Sequence, residues 1–151
     1  MTVVSVLATT VTVTSGVVAG VLFAVALSVL PALLAMPTDR YIYAHKLIGR
    51  KWDPTMPVIV LGSTTVEVVL AFTAPGDSRP LFAIGAVLLL VVSIVSHYCN
   101  VPINRRVKSV DPHAVPTNWT DPRPLWRRWH LLRTAVAMVA AVLNATALAL
   151  L

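Results

Sequence analysis

Apolar and polar positions along this chain fall into long blocks rather than a strand or amphipathic-helix rhythm. An uncharged run extends from about Val3 to Leu34. A second covers Val58 to Ala74 and is broken only by Glu67. A third covers Leu81 to Val101, and a fourth runs from about Trp126 to Leu151 with Arg133 near its start. Each approaches or exceeds the roughly 20 residues that cross hydrocarbon as a helix. The alternating Val and Thr of residues 10–14 would read as strand in water. An unpaired strand in lipid leaves its backbone groups unsatisfied, so helix is expected there.

Prolines punctuate the blocks. Pro54 and Pro57 suit the start of a second helix, Pro75-Gly76 a turn, and Pro80 the opening of a third. Pro31 and Pro102 are expected to kink or end the helices they lie in. The prediction is all-α: an integral membrane four-helix bundle with a cytoplasmic cap formed by two longer loops. It treats 1–151 as a single membrane domain, with spans near 3–34, 57–74, 80–101 and 126–151. Thr38-Asp39 is expected to cap a short helix through about Gly49, and the Pro-rich second loop to be mostly irregular. Gly16 and Gly20 form a small-xxx-small pair that would let another helix approach closely.

Composition narrows the class. Hydrophobic residues make up 57% and charged residues 12% of the chain. So few charges cannot cover a soluble surface, which excludes an ordinary soluble domain, a coiled coil and a disordered chain. The net charge is +6. Its carriers lie beside the apolar runs, so the partner they imply is the lipid bilayer and not nucleic acid. Arg40, Lys46, Arg50 and Lys51 fall in one loop, and Arg105, Arg106, Lys108, Arg123, Arg127 and Arg128 in or beside the other. The turn between spans two and three holds only Arg79. The positive-inside rule then predicts a multi-pass protein of the plasma (cell) membrane. Loops 36–56 and 102–125 are cytoplasmic, and the N- and C-termini lie outside. The single cysteine, Cys99, excludes an internal disulfide.

A few polar residues inside the runs are candidates for chemistry. Glu67 lies ten residues beyond Pro57, roughly 15 Å along a helix and near the midplane. A carboxylate at that depth is costly and suggests either a function or a protonated group bonded to Thr12, Thr14 or Ser15. His97, Asn100 and Asn104 are spaced to share a helix face, and His130 and Arg133 are three apart. With the predicted topology, His45, His97 and His130 gather on one side of the membrane, with Glu67 pointing toward the same half. These four could serve as acid/base groups, or as ligands to copper or non-haem iron; the spacing is no metal signature, so no metal is an equal alternative. Arg133 either snorkels to headgroups or clamps an anionic or enolate-like oxygen.

The chain also resembles the anthrone oxygenase-like family of small four-span membrane proteins. The resemblance is carried by Ala19-Gly20-Val21-Leu22-Phe23-Ala24 with Leu30-Pro31-Ala32-Leu33, and by the stretch His45 to Pro54. It is carried further by Asn100-Val-Pro-Ile-Asn104-Arg105 and by Trp126-Arg-Arg-Trp-His130-Leu-Leu-Arg133-Thr134. It implies Asn100, Asn104, Trp129, His130 and Arg133 as functional positions. The family pattern has a glutamine in the middle stretch where this chain has His45, which implies a different substrate.

Together these readings predict a membrane-embedded oxidase or oxygenase of a small electron-rich molecule, with a natural-product pathway as the expected setting. The chemistry would be anthrone-type carbon oxidation or N-oxidation of a hydrazine-like group. His130, His97, His45 and Glu67 are the expected catalytic residues, and Asn100, Asn104, Arg133 and Trp129 the expected substrate contacts. The alternative is a non-enzymatic membrane scaffold that partners a soluble pathway enzyme through the second loop. Homo-oligomers are compatible with either.

Overall fold

The computed structural model describes residues 2–151, and among these there is no β-strand. Four helices are long and apolar enough to cross a membrane: α1 Val3–Ala35, α2 Thr38–Thr73, α3 Ser78–Ser109 and α4 Arg123–Ala149. They run up and down in sequence order. α1 packs on α2 and α4, and α3 packs on α2 and α4, which closes a four-membered ring. The start of α1, the C-terminus and the 74–77 turn lie at one end, the terminal end. The 36–37 connection and the 110–122 loop lie at the other, the loop end. Large apolar side chains such as Val13, Leu27, Phe72, Val87 and Val142 remain exposed around the bundle. A belt of that kind is explained by lipid and not by water.

Helix limits differ from the sequence expectation at two places. The first is the loop expected over 36–56. It is reduced to Met36 and Pro37, because α2 runs without a break from Thr38 through Pro54 and Pro57 to Thr73. The prolines remove two backbone donors but do not end the helix. Tyr41 and Ile42 in its first turns are anchored in the bundle core, so tertiary packing outweighs the local preference. The cap therefore consists of a helical extension plus one loop, not two loops.

The second difference is at Pro102, where α3 runs on to Ser109; at Pro31, α1 continues to Ala35 as the 3–34 span expects. Each helix has a π-helical turn just before its proline, at Val25–Val29 and Ser96–Asn100. A wider turn lets the ring clear the preceding carbonyls, so both helices continue without breaking. Gly16 and Gly20 also depart from expectation. Both are exposed, and a Cβ added at either would meet nothing within 4 Å, so no helix of this chain approaches them closely. The only described residue with positive φ is Gly76, at +54°, which makes the tight α2–α3 turn.

The interior is layered. An apolar cluster of Ala8, Val11, Leu70, Ala74, Phe82 and Ala147 fills the terminal end. A central one is built from Val18, Ala19, Leu22, Val60, Leu89, Val92, Ala137 and Ala140. A third, with Leu30, Leu33, Tyr41, Ile42, Ile103, Val107 and Trp126, fills the loop end. Buried polar residues sit between them. Ser15, Ser63, Glu67 and Asn144 lie toward the terminal end, and Asn100, His130 and Thr134 toward the loop end.

One arginine pins the loop end. Arg123 Nη1 donates to the carbonyls of Leu33 at 2.9 Å and Met36 at 2.6 Å, satisfying acceptors that the end of α1 leaves open. Its guanidinium lies 4.9 Å from the Tyr41 ring and pairs with Asp121 at 2.7 Å. Partial burial pushes the Asp121 carboxyl up, but the hydrogen bonds and charge of Arg123 outweigh that and hold it below the usual value. Sequence reading took Arg123 only for a topology charge; its contacts depend on α1 and could not be read locally.

Candidate functional site

A cavity of about 440 Å³ opens in the loop-end half of the bundle. That is within the range of small-molecule sites. All four helices contribute walls. Val21, Leu22, Val25 and Val29 come from α1, and Met56 and Val60 from α2, giving a largely apolar surface. Against it stand His45, Ser96, His97, Asn100, Asn104, His130 and Arg133. The π turn of α3 supplies Ser96, His97 and Asn100 from one widened coil.

His130 and Arg133 are bonded to each other. His130 is fully buried; its Nε2 donates to the Leu22 carbonyl at 3.1 Å. A carbonyl can only accept, so Nε2 carries the hydrogen and Nδ1 is the acceptor. That acceptor receives Arg133 Nη2 at 3.0 Å and Nε at 3.3 Å. Arg133 Nη1 donates to Ser96 Oγ at 3.1 Å. Both ring nitrogens of His130 are therefore occupied, and its ring is further fixed by stacking on Trp126 at 5.1 Å. Three of the five guanidinium N–H groups of Arg133 are used within the protein, leaving two. Among the described residues, the ion pairs are Lys108–Asp53 and Arg123–Asp121, so Arg133 has no carboxylate partner.

Asn104 holds the opposite wall. Its Oδ1 accepts from Trp126 Nε1 at 3.1 Å and from His45 Nε2 at 3.2 Å. His45 is buried and held edge-on between Tyr41 and Trp126, and its Nδ1 makes no hydrogen bond to the described residues. Asn100 is 1% exposed, and neither its Oδ1 nor its Nδ2 has a partner in the protein. A wholly orphaned buried amide is rare, because leaving it unpaired costs about 1–3 kcal/mol.

The sequence candidates divide accordingly. His45, His97, Asn100, Asn104, His130 and Arg133 share the cavity wall. His97 is at the exposed rim, edge-on to Tyr98 at 5.0 Å. Trp129 is not on the wall; it packs against the apolar cluster of the loop end. Glu67 is not on the wall either. It is fully buried in the other polar layer, where Oε1 accepts from Asn144 Nδ2 at 2.6 Å. The same Asn144 nitrogen donates to Ser15 Oγ at 3.0 Å. A Cβ built on Gly85 would come within 2.8 Å of Glu67 Oε1, so the glycine makes the room this pair needs.

The expected convergence of Glu67 with the histidines is thus corrected: depth along a helix did not reveal which layer the side chain joins. The four residues considered as a metal set do not gather. Among the described residues, no group of three or more His, Cys, Asp and Glu side chains is placed to hold an ion. Asn144 was not singled out from sequence. Its signal was its being the one strongly polar residue in the Ala-rich half of α4.

Fold and site together define a polytopic helical membrane protein with a polar, cation-bearing cavity set among its spans. Residues 45–143 match the family pattern described as anthrone oxygenase, and the chain belongs to that family. The match begins at His45 and takes in every polar wall residue named above. No curated protein and no solved structure matches the chain.

Proposed function

We propose that this protein is a membrane-embedded oxygenase of a small, electron-rich enol or phenol, which it holds as the anion at Arg133. The observation that carries the reading is a guanidinium on the cavity wall with two unused N–H groups and no carboxylate partner. A half-buried charge without a counter-ion is costly, and an anionic ligand oxygen removes that cost. The orphaned amide of Asn100 supplies a second donor and acceptor for the same ligand. The same charge disfavours a hydrazine-like substrate, which offers no anion. The family's name is consistent with a carbon acid such as anthrone.

In this reading His130 is a positioning residue. It offers Nδ1 to Arg133 and orients the guanidinium. The proton lost on ionisation passes to His45 Nδ1, the free ring nitrogen of the buried wall histidine. For an anthrone-type substrate the balance needs only dioxygen. The methylene carbon becomes a carbonyl with one oxygen atom, and its two hydrogens leave with the other as water. The basic loop end faces the cytoplasm, in keeping with the distribution of Lys and Arg.

The test uses anthrone as probe, with oxygen uptake and quinone formation measured in proteoliposomes. The expected result is turnover by the wild type that Arg133→Met abolishes and Arg133→Lys does not restore. An ammonium cannot bond His130 and Ser96 together as the fork does. Full activity of Arg133→Met would contradict the reading.

A further inference from the structure

The cavity's exposed wall residues are not spread around the bundle. On α1 and α4 the wall consists of buried or half-buried side chains. On α2 and α3 it includes Trp52 and Leu61, 44% and 53% exposed, and Ile94 and Tyr98, 47% and 72% exposed. A residue that both lines a cavity and faces outward marks its mouth. This mouth lies between α2 and α3, and it faces the lipid belt, not the loop end. At its outer edge Lys108 and Asp53 form an ion pair that also borders the cavity, with Gly49 packed beneath both. The slot therefore runs from a charged latch near the membrane surface to apolar lips at Leu61 and Ile94.

We infer that the substrate reaches the cavity sideways from the bilayer, through the α2–α3 slot, as a neutral lipid-soluble acid. It becomes an anion only inside, opposite Arg133. The inference rests on the anion-holding site proposed above and adds the route and the substrate's state on arrival. An anion could not cross the apolar lips cheaply, whereas a neutral planar aromatic concentrates in the bilayer beside them. The asymmetry is chemically useful. The protein gathers its ligand from lipid by apolar partition, then retains it by a charge that lipid lacks. The Lys108–Asp53 pair closes the shortest path to water.

The probe is 1,8-dihydroxyanthraquinone, a coloured phenol whose absorbance shifts on binding and on ionisation. Proteoliposomes are mixed with it and, in parallel, with its sulfonated analogue, an anion that stays in water. The neutral dye is expected to associate readily, and the sulfonate about tenfold more slowly or slower still, because it does not enter the bilayer. Leu61→Trp and Ile94→Trp should slow it about tenfold, as narrowed access does. Val87→Trp, on the lipid face of α3 away from the cavity, should leave it unchanged. The unchanged spectrum of the bound dye reports that the variants have folded. Association of the sulfonate as fast as that of the neutral dye, or association insensitive to both lip substitutions, overturns the route. Ionised dye arriving from water would sink the route and leave the anion site standing. Dye that arrives from lipid but stays neutral would do the reverse.

Discussion

The bundle buries two polar layers, and they differ in what they leave open. Toward the terminal end, Glu67, Asn144 and Ser15 bond to one another away from the cavity, Gly85 is cut back to fit them, and Glu67 Oε2 and Asn144 Oδ1 stay unpaired in tight packing. Toward the loop end, Arg133, Asn100 and His45 stand on the wall of a cavity of about 440 Å³ with unused bonding groups. A lone carboxylate deep in a span attracts attention in a sequence. Here the carboxylate is a helix-to-helix tie between α2, α4 and α1, and the unpaired groups that border the cavity are the ones that ask for a ligand. What separates structure from function in lipid is thus unused bonding capacity beside an open space, not polarity alone.

Substitutions can break this contrast. The largest effect is expected at Arg133. Arg133→Met should weaken binding of an acidic anthraquinone by about 100-fold or more, the scale of losing a desolvated ionic hydrogen bond, and a titration in nanodiscs measures it. Asn100→Leu should also weaken binding, yet leave thermal stability equal or higher, because it removes two unpaired polar atoms. Loss of stability in that variant would mean Asn100 serves the fold. The opposite signature is expected in the other layer. Glu67→Ala should destabilise the bundle by about 1–3 kcal/mol in detergent unfolding and leave the dye's affinity in place.

Gly85→Ala should be destabilising by a similar ~1–3 kcal/mol, since its Cβ would meet Glu67 Oε1 at 2.8 Å. Combined with Glu67→Ala it should cost less than the sum, because the closer of its two clashes is then gone and Asn144 Oδ1 at 3.0 Å remains. The smallest effect concerns the loop end. Asp121 has a lowered pKa in the folded chain, so its pairing with Arg123 stabilises above the ordinary carboxylate range. That contribution disappears as the pH falls through its lowered value. Melting curves of wild type and Asp121→Asn should converge at acid pH and differ slightly at neutral pH.

The four spans were legible because length, absence of charge and clustering of Lys and Arg act along the chain, residue by residue. Six of the eight candidate residues stand on one cavity wall for the same reason: helical spacing places Asn100 with Asn104, and topology places both near His130 and His45. Interactions between helices were not legible. Pro54 and Pro57 read locally as a helix start, but the packing of Tyr41 and Ile42 carries α2 through them. Glu67 could be assigned a depth but not a partner, because Asn144 lies 77 positions away. The roles of the histidines were likewise closed to sequence. Which ring nitrogen of His130 carries the hydrogen depends on a carbonyl of α1.

The account stands on Arg133 as an anion-holding cation, and the colour of the bound probe tests that most directly. Phenolates absorb to the red of their phenols. At neutral pH, 1,8-dihydroxyanthraquinone bound to the wild type in nanodiscs should show the spectrum of its anion, and bound to Arg133→Met the spectrum of the neutral form. A neutral spectrum on the wild type, or the same anionic spectrum on both proteins, would contradict the account.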